Sequence, residues 1–209
     1  MKTKHLLSIA SIYITLILIS NITSTKIIEL GGLTMDGGTL YFFAVYILGD
    51  VITEVYGFKK AKQIIWLGFF ANILLAVSII AIGALPPAAD WTYQESYMNV
   101  LGLTPRIVVG SLLAYLAGSF SNAQIMHAMR NGKYLFVRTI SSTLVGEGID
   151  TLIFVTIAFY GVLPLETLII IMISNYIIKC SGEILATPFT YLLVGKLKKS
   201  ELKPEFAQV

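Results

Sequence analysis

"TLYFFAVYILGDVITEVYGFKK", residues 39–60, decides how the rest of the chain is read. The run is apolar enough to lie in lipid, yet it carries Asp50 and Glu54 one helical turn apart before it closes on Gly57 and two lysines. A charged side chain at the centre of a membrane helix costs about 2.5–3.5 kcal/mol on insertion scales. Carboxylates placed there need a wet cavity, a counter-charge or a ligand.

The whole chain has the composition of a membrane protein: 209 residues, 56% hydrophobic, only 13% charged, with a mean hydropathy of +0.80. Six apolar segments fall at about 6–24, 39–57, 63–85, 106–129, 139–160 and 166–195. The breaks between them are "LGGLTMDGG", "GFKKAK", the loop 86–105, "RNGKYLFVR" and "GVLPLE". Uninterrupted runs of about 20 apolar residues are helical signals, because barrel strands would alternate. The expectation is an all-α membrane protein of six transmembrane helices, forming one domain over 1–209. The opening "MKTKHLLSIASIYITLILIS" has the basic start of a signal peptide, but its apolar run is too long and no small-x-small site follows. It is read as a retained first span. Cys180, the one cysteine, cannot form a disulfide within the chain. No basic stripe points to nucleic acid.

Lysine and arginine set the orientation, since they accumulate on the cytoplasmic side. Threading six spans puts Lys2, Lys4, Lys59, Lys60, Lys62, Arg130, Lys133, Arg138, Lys196, Lys198, Lys199 and Lys203 on one side, with Lys26 and Arg106 on the other. Both termini are therefore expected in the cytoplasm. Three spans on either side of the long outside loop allow a 3+3 inverted repeat, the layout of many secondary transporters.

Inside the apolar segments stand Asp50, Glu54, Glu147, Asp150, Lys179 and Glu183, with Asn21, Asn72, Asn122, Gln124 and Asn175. Their spacing gives each helix a polar face: Asp50 and Glu54 at i,i+4, Glu147 and Asp150 at i,i+3, and Asn175, Lys179 and Glu183 at i, i+4, i+8. These faces must point into the bundle. A buried ion-pair network is one reading, but five acids against one lysine leave an excess of negative charge for a ligand. Glu54, close to Lys59 and Lys60, reads as an ion-pair or gating residue, and Glu183 shares that reading. Asn72 reads as an interhelical hydrogen bonder. Gly182 and Pro188 leave the last segment open between a kinked or unwound helix and a long tilted one.

The motifs "SNITSTKI", "GDVITEVYG", "SSTLVGEGIDT" and "NYIIKCSGEILATP" together resemble the queuosine precursor transporter family, formerly described as vitamin uptake transporters, over about residues 20–195. The resemblance implies uptake of 7-deazaguanines, such as the 7-cyano and 7-aminomethyl precursors or queuine, across the bacterial inner membrane by a multi-pass carrier. It implies no cofactor, metal or catalytic residue. It carries over Asn21, Asp50, Thr53, Gly57, Ser142, Thr143, Gly146, Asp150, Thr151, Tyr176 and Lys179, while members of the family vary at the places of Glu54, Glu147 and Asn175.

A 7-deazaguanine presents N1–H and a 2-amino group on one edge, beside a carbonyl. A desolvated carboxylate accepts from both donors at once. Asp50 or Asp150 is expected to take that edge, with Asn21, Asn175 or Ser142 on the carbonyl and Glu147 nearby. Tyr13, Tyr41, Phe42 and Tyr46 are candidates to stack on the base. Lys179 would neutralise an acid of the empty site, and its partner is open among Asp50, Asp150 and Glu183. Expected partners are the small-molecule substrate and the lipid bilayer, with a homodimer left open. Two rivals remain: a substrate-capturing subunit of an energy-coupling-factor importer, which would need ATPase partners, and an intramembrane aspartyl protease using Asp50 and Asp150. The sequence has "LGD" and "GID" in place of the GxGD that such proteases carry.

Overall fold

The computed structural model of the chain describes residues 5–128 and 135–202. Its elements run α1 (Leu6–Thr23), β1 (Ile27–Leu30), β2 (Leu33–Asp36), α2 (Thr39–Tyr56), α3 (Phe58–Gly83), α4 (Gln94–Leu101), α5 (Thr104–Ala128), α6 (Leu135–Phe159) and α7 (Leu165–Leu202). The stretches Leu6–Thr23, Thr39–Tyr56, Phe58–Gly83, Gln94–Asn122 and Leu165–Ala186 are each long and apolar enough to cross a bilayer. The sixth apolar segment lies on α6, whose 25 residues reach about 37 Å. Along α3, Trp66, Phe70, Ile73, Val77 and Ile80 all stand exposed on one face. Such a stripe belongs in hydrocarbon rather than in water. The chain is an all-α, multi-pass membrane protein.

Two local readings change, one narrows and one left open is decided. "LGGLTMDGG" is not a plain loop: β1 and β2 pair antiparallel from Ile27↔Asp36 to Leu30↔Leu33 around a two-residue turn. Gly31 and Gly32, at φ +60° and +79°, supply the left-handed pair that such a turn demands. The break at "GFKKAK" narrows to Gly57 alone (φ +85°), since α2 ends at Tyr56 and α3 begins at Phe58. The loop 86–105 contains the short helix α4. The last segment is one helix through Gly182 and Pro188 as far as Leu202, with no unwound turn. Its basic run Lys196–Lys199 continues the helix beyond the apolar part, where charged residues no longer oppose it. Lys2, Lys4, Arg130, Lys133 and Lys203 lie outside the described residues.

Three apolar clusters tie the bundle. Tyr13, Val45, Ile52, Ala61 and Ile64 join α1, α2 and α3, while Val51, Val55, Ala186 and Val194 join α2 to the far half of α7. Ile107, Ala114, Phe154, Phe159, Leu168 and Ile171 join α5, α6 and the start of α7. Arg106 sits at that end and donates to the carbonyls of Ile157 and Tyr160, the orphan acceptors of the α6 C-terminus. At the opposite end, Glu201 accepts from the His5 backbone N–H at 3.1 Å and from Tyr56 Oη at 2.9 Å. The first and last described helical ends thus meet on one side of the bundle.

Helices α5 and α6 approach closely because small residues face each other. A Cβ at Gly118 would stand 3.0 Å from the Gly146 carbonyl and from Asp150 Cβ, and one at Gly146 would stand 3.1 Å from the Gly118 carbonyl and from Asn122 Cβ. Overpacking costs about 1–3 kcal/mol. Gly146→Leu is expected to lower the Tm of the purified protein by about 3–10 °C. Gly195→Leu, where a new side chain meets open space, should leave it unchanged. Equal melting curves for the two variants would rule out this close packing as a source of stability.

Candidate functional site

The bundle encloses a cavity of about 340 Å³, within the range of small-molecule sites. It is bounded by α1, α2, α3, α5, α6 and α7, and Asp50, Glu147, Asp150 and Glu183 are among the residues that line it. Tyr13, Phe42, Tyr46, Phe69, Tyr115 and Phe154 form much of its apolar wall. Phe42 and Tyr46 lie one turn apart on α2, with ring centroids 5.9 Å apart. Tyr41 is absent from the lining.

The acids are not equivalent. Lys179, 3% exposed, reaches from α7 to an ion pair with Asp150, with Glu147 Oε2 3.9 Å away. Its Nζ also lies 4.6 Å from the Phe42 ring centroid, a cation–π contact. Tyr46 Oη donates to Glu147 Oε1 at 2.9 Å, which fixes that carboxylate against α2. Glu183 accepts from Thr143 Oγ1 at 3.3 Å. Asp50 differs from all three: among the described residues nothing donates to it and no cation pairs with it, although it lines the same cavity. The partner of Lys179, open at the level of sequence, is Asp150, with Glu147 as a second acid.

The other candidates lie elsewhere. Asn21 Nδ2 donates to Asn72 Oδ1, and Asn72 Nδ2 donates back to its own helix at Gly68 O, 2.8 Å away. That amide pair joins α1 to α3, and Asn72, not Asn21, borders the cavity. Asn175 Nδ2 donates to Asp36 Oδ2 at 2.8 Å, in a buried network with the hairpin. The Ser142 side chain lies outside the described residues. Glu54 pairs across the surface with Lys198 at 3.5 Å, not with Lys59 or Lys60. Both partners are substantially exposed, and such pairs contribute at most about 1 kcal/mol. Glu54→Gln is therefore expected to keep membrane levels and uptake within about twofold of the original chain. A tenfold loss of uptake at equal protein level would contradict that assignment.

Sequence reasoning missed Asp36, which is fully buried, and gave no role to Asn122, which borders the cavity on α5. The hairpin was legible in "IIELGGLTMD", where Gly-Gly stands between two short strands. That β2 would fold inward against α7 was not.

Long apolar helices around a cavity lined by two aspartates, one paired with lysine and one without a partner among the described residues, are the build of a multi-pass membrane protein with room for a small molecule. The comparisons agree. A family model described as "Putative vitamin uptake transporter" matches residues 36–193. "Probable queuosine precursor transporter" of Bacillus subtilis is 32% identical over 178 residues, covering 82% of this chain and 77% of that protein. "Queuosine precursor transporter" of Escherichia coli is 22% identical over 159 residues, 76% of this chain and 71% of that protein. With most of its length matched in this way, the chain belongs to the queuosine precursor transporter family. These relatives are named as transporters and not as enzymes. No solved structure matches the chain.

Proposed function

We propose that this protein imports queuosine precursors across the bacterial inner membrane as a stand-alone carrier, binding the 7-deazaguanine base in the central cavity with Asp50 on its N1–H and 2-amino edge. The observation that carries the assignment to Asp50 is its lack of a partner among the described residues in a cavity where Asp150 already has Lys179. A carboxylate held without hydrogen bonds in such a place is ready to accept two from a ligand. Phe42 and Tyr46 offer faces for the flat base. With the Asn21 and Asn175 amides engaged elsewhere, Asn122 is the amide placed to meet the carbonyl. Glu147 and Glu183 complete the polar wall.

The contact of His5 with Glu201 brings the described start of α1 to the described end of α7, which supports an even number of crossings, by α1, α2, α3, α5, α6 and α7. Basic residues at the α3 start and the α7 end favour the cytoplasm as that side. Two three-helix halves separated by the α4 loop fit a 3+3 repeat of inverted topology. The aspartyl protease reading is disfavoured, because an acid ion-paired to lysine does not share a proton with a second aspartate.

The test is uptake of a labelled 7-deazaguanine by cells lacking their own synthesis and import and expressing this chain alone. Uptake above the empty-vector control supports the carrier. Uptake only when energy-coupling ATPase subunits are supplied would replace it with the capture-subunit reading.

A further inference from the structure

Asp36 ends β2 and is completely buried, between the C-terminal end of α1, the start of α2 and the middle of α7. Its hydrogen-bond partners among the described residues are all neutral side chains. Ser24 Oγ stands 2.6 Å from Oδ1, Thr39 Oγ1 2.7 Å from Oδ2, and Asn175 Nδ2 2.8 Å from Oδ2. Among the described residues no cation forms an ion pair with it. Lys179, one turn along α7 from Asn175, is instead ion-paired to Asp150 with Glu147 beside it. A buried charge without a counter-charge is costly, and the α2 N-terminus supplies only about half an elementary charge.

The protons fall short as well. Thr39 has one hydroxyl proton, but its oxygen lies both 2.7 Å from Asp36 Oδ2 and 3.2 Å from Asn175 Oδ1. Ser24 likewise faces both Asp36 Oδ1 and, at 2.9 Å, the Ser20 carbonyl. Two protons confront four acceptors. Turning the Asn175 amide over gives no relief, because its oxygen would then face the Asp36 carboxylate. Oxygen lone pairs therefore oppose one another around a buried negative charge, and a cation is the species that turns such an arrangement from repulsive to attractive.

We propose that Asp36, Thr39, Ser24 and Asn175, with the Ser20 carbonyl, form a binding site for a monovalent alkali cation, sodium being the probe that tests it. A single carboxylate among neutral oxygens suits one positive charge, whereas calcium and magnesium sites recruit more acid. A lone proton would use one acceptor and leave the other oxygens unexplained. The site lies outside the substrate cavity but joins it through α7, on which Asn175 meets Asp36 and Lys179 meets Asp150. Cation occupancy at the hairpin is thereby placed to bias the helix that borders the carboxylates. The inference stands on this network alone and does not depend on which solute the cavity takes.

The experiment is thermal unfolding of the purified full-length protein in detergent at pH 7.5, with sodium chloride replacing choline chloride at constant ionic strength. A saturable rise in Tm of about 3–6 °C at tenfold excess over half-saturation is expected. Asp36→Asn should abolish the rise. Thr39→Val keeps the charge and removes one ligand, so it should move half-saturation at least fivefold higher, and it serves as the test should Asp36→Asn fail to fold. An absent sodium response, or one unchanged in Thr39→Val, overturns the site. So does a stabilisation that follows pH at fixed low sodium and disappears in Asp36→Asn, since it would give the charge to a proton.

Discussion

Asp50→Asn is expected to reduce uptake of a labelled 7-deazaguanine by on the order of 100-fold, while the purified variant melts within a few degrees of the original protein. The two halves of this expectation have one cause. In the absence of substrate the Asp50 carboxylate has no partner among the described residues, so removing its charge breaks nothing in the fold. With substrate, an asparagine accepts from one donor of the base edge and turns its own N–H groups toward the other. A hydrogen bond to a charged group contributes about 1.5–3 kcal/mol, and an unmatched donor adds its desolvation penalty. Asp50→Glu keeps the charge but moves it by one methylene, so part of the activity should remain. Uptake rates normalised to membrane levels check this. An Asp50→Asn variant that transports at more than one third of the original rate would remove Asp50 from the binding edge.

Lys179→Ala should show the opposite pattern, with stability lost first. It leaves Asp150 and Glu147 together and unpaired beside a pocket, and stripping one partner from a buried ion pair costs about 3–5 kcal/mol. A fall in Tm of about 10 °C is expected, with reduced amounts of folded protein in the membrane. Combining Lys179→Met with Asp150→Asn removes both main charges and should recover about half of the loss or more. A double-mutant cycle of melting temperatures measures the coupling. Additive effects of the two single changes would show that the pair does not hold α6 to α7. Recovery of stability without recovery of uptake would separate the structural role of the pair from its part in transport.

These two residues show how far the sequence carried. Both were legible as anomalies, since an acid and a lysine deep in apolar runs must face inward. Their difference in role was not legible. Spacing along α2 sets Asp50 and Glu54 on one face, but only the packing of α7 brings Lys198 to Glu54 and leaves Asp50 without a partner among the described residues. Similarly, Asn175, Lys179 and Glu183 form one stripe in the sequence. In the bundle they serve three places: the hairpin, the α6 acids and the cavity. Asp36 escaped notice because an aspartate beside two glycines between apolar runs has the composition of an exposed turn.

The sequence by itself determined the solvent, the number of apolar segments and the set of side chains that lipid would reject. Those follow from local quantities: 1.5 Å of rise per residue, hydrocarbon thickness and the cost of charge in it. Only the tertiary structure decided which rejected groups satisfy one another and which have no partner among the described residues. Pairing depends on distances between helices far apart in the chain, such as the Gly118–Gly146 approach that sets α6 against α5 and the reach of Lys179 across to Asp150. No periodicity within a single helix contains those distances.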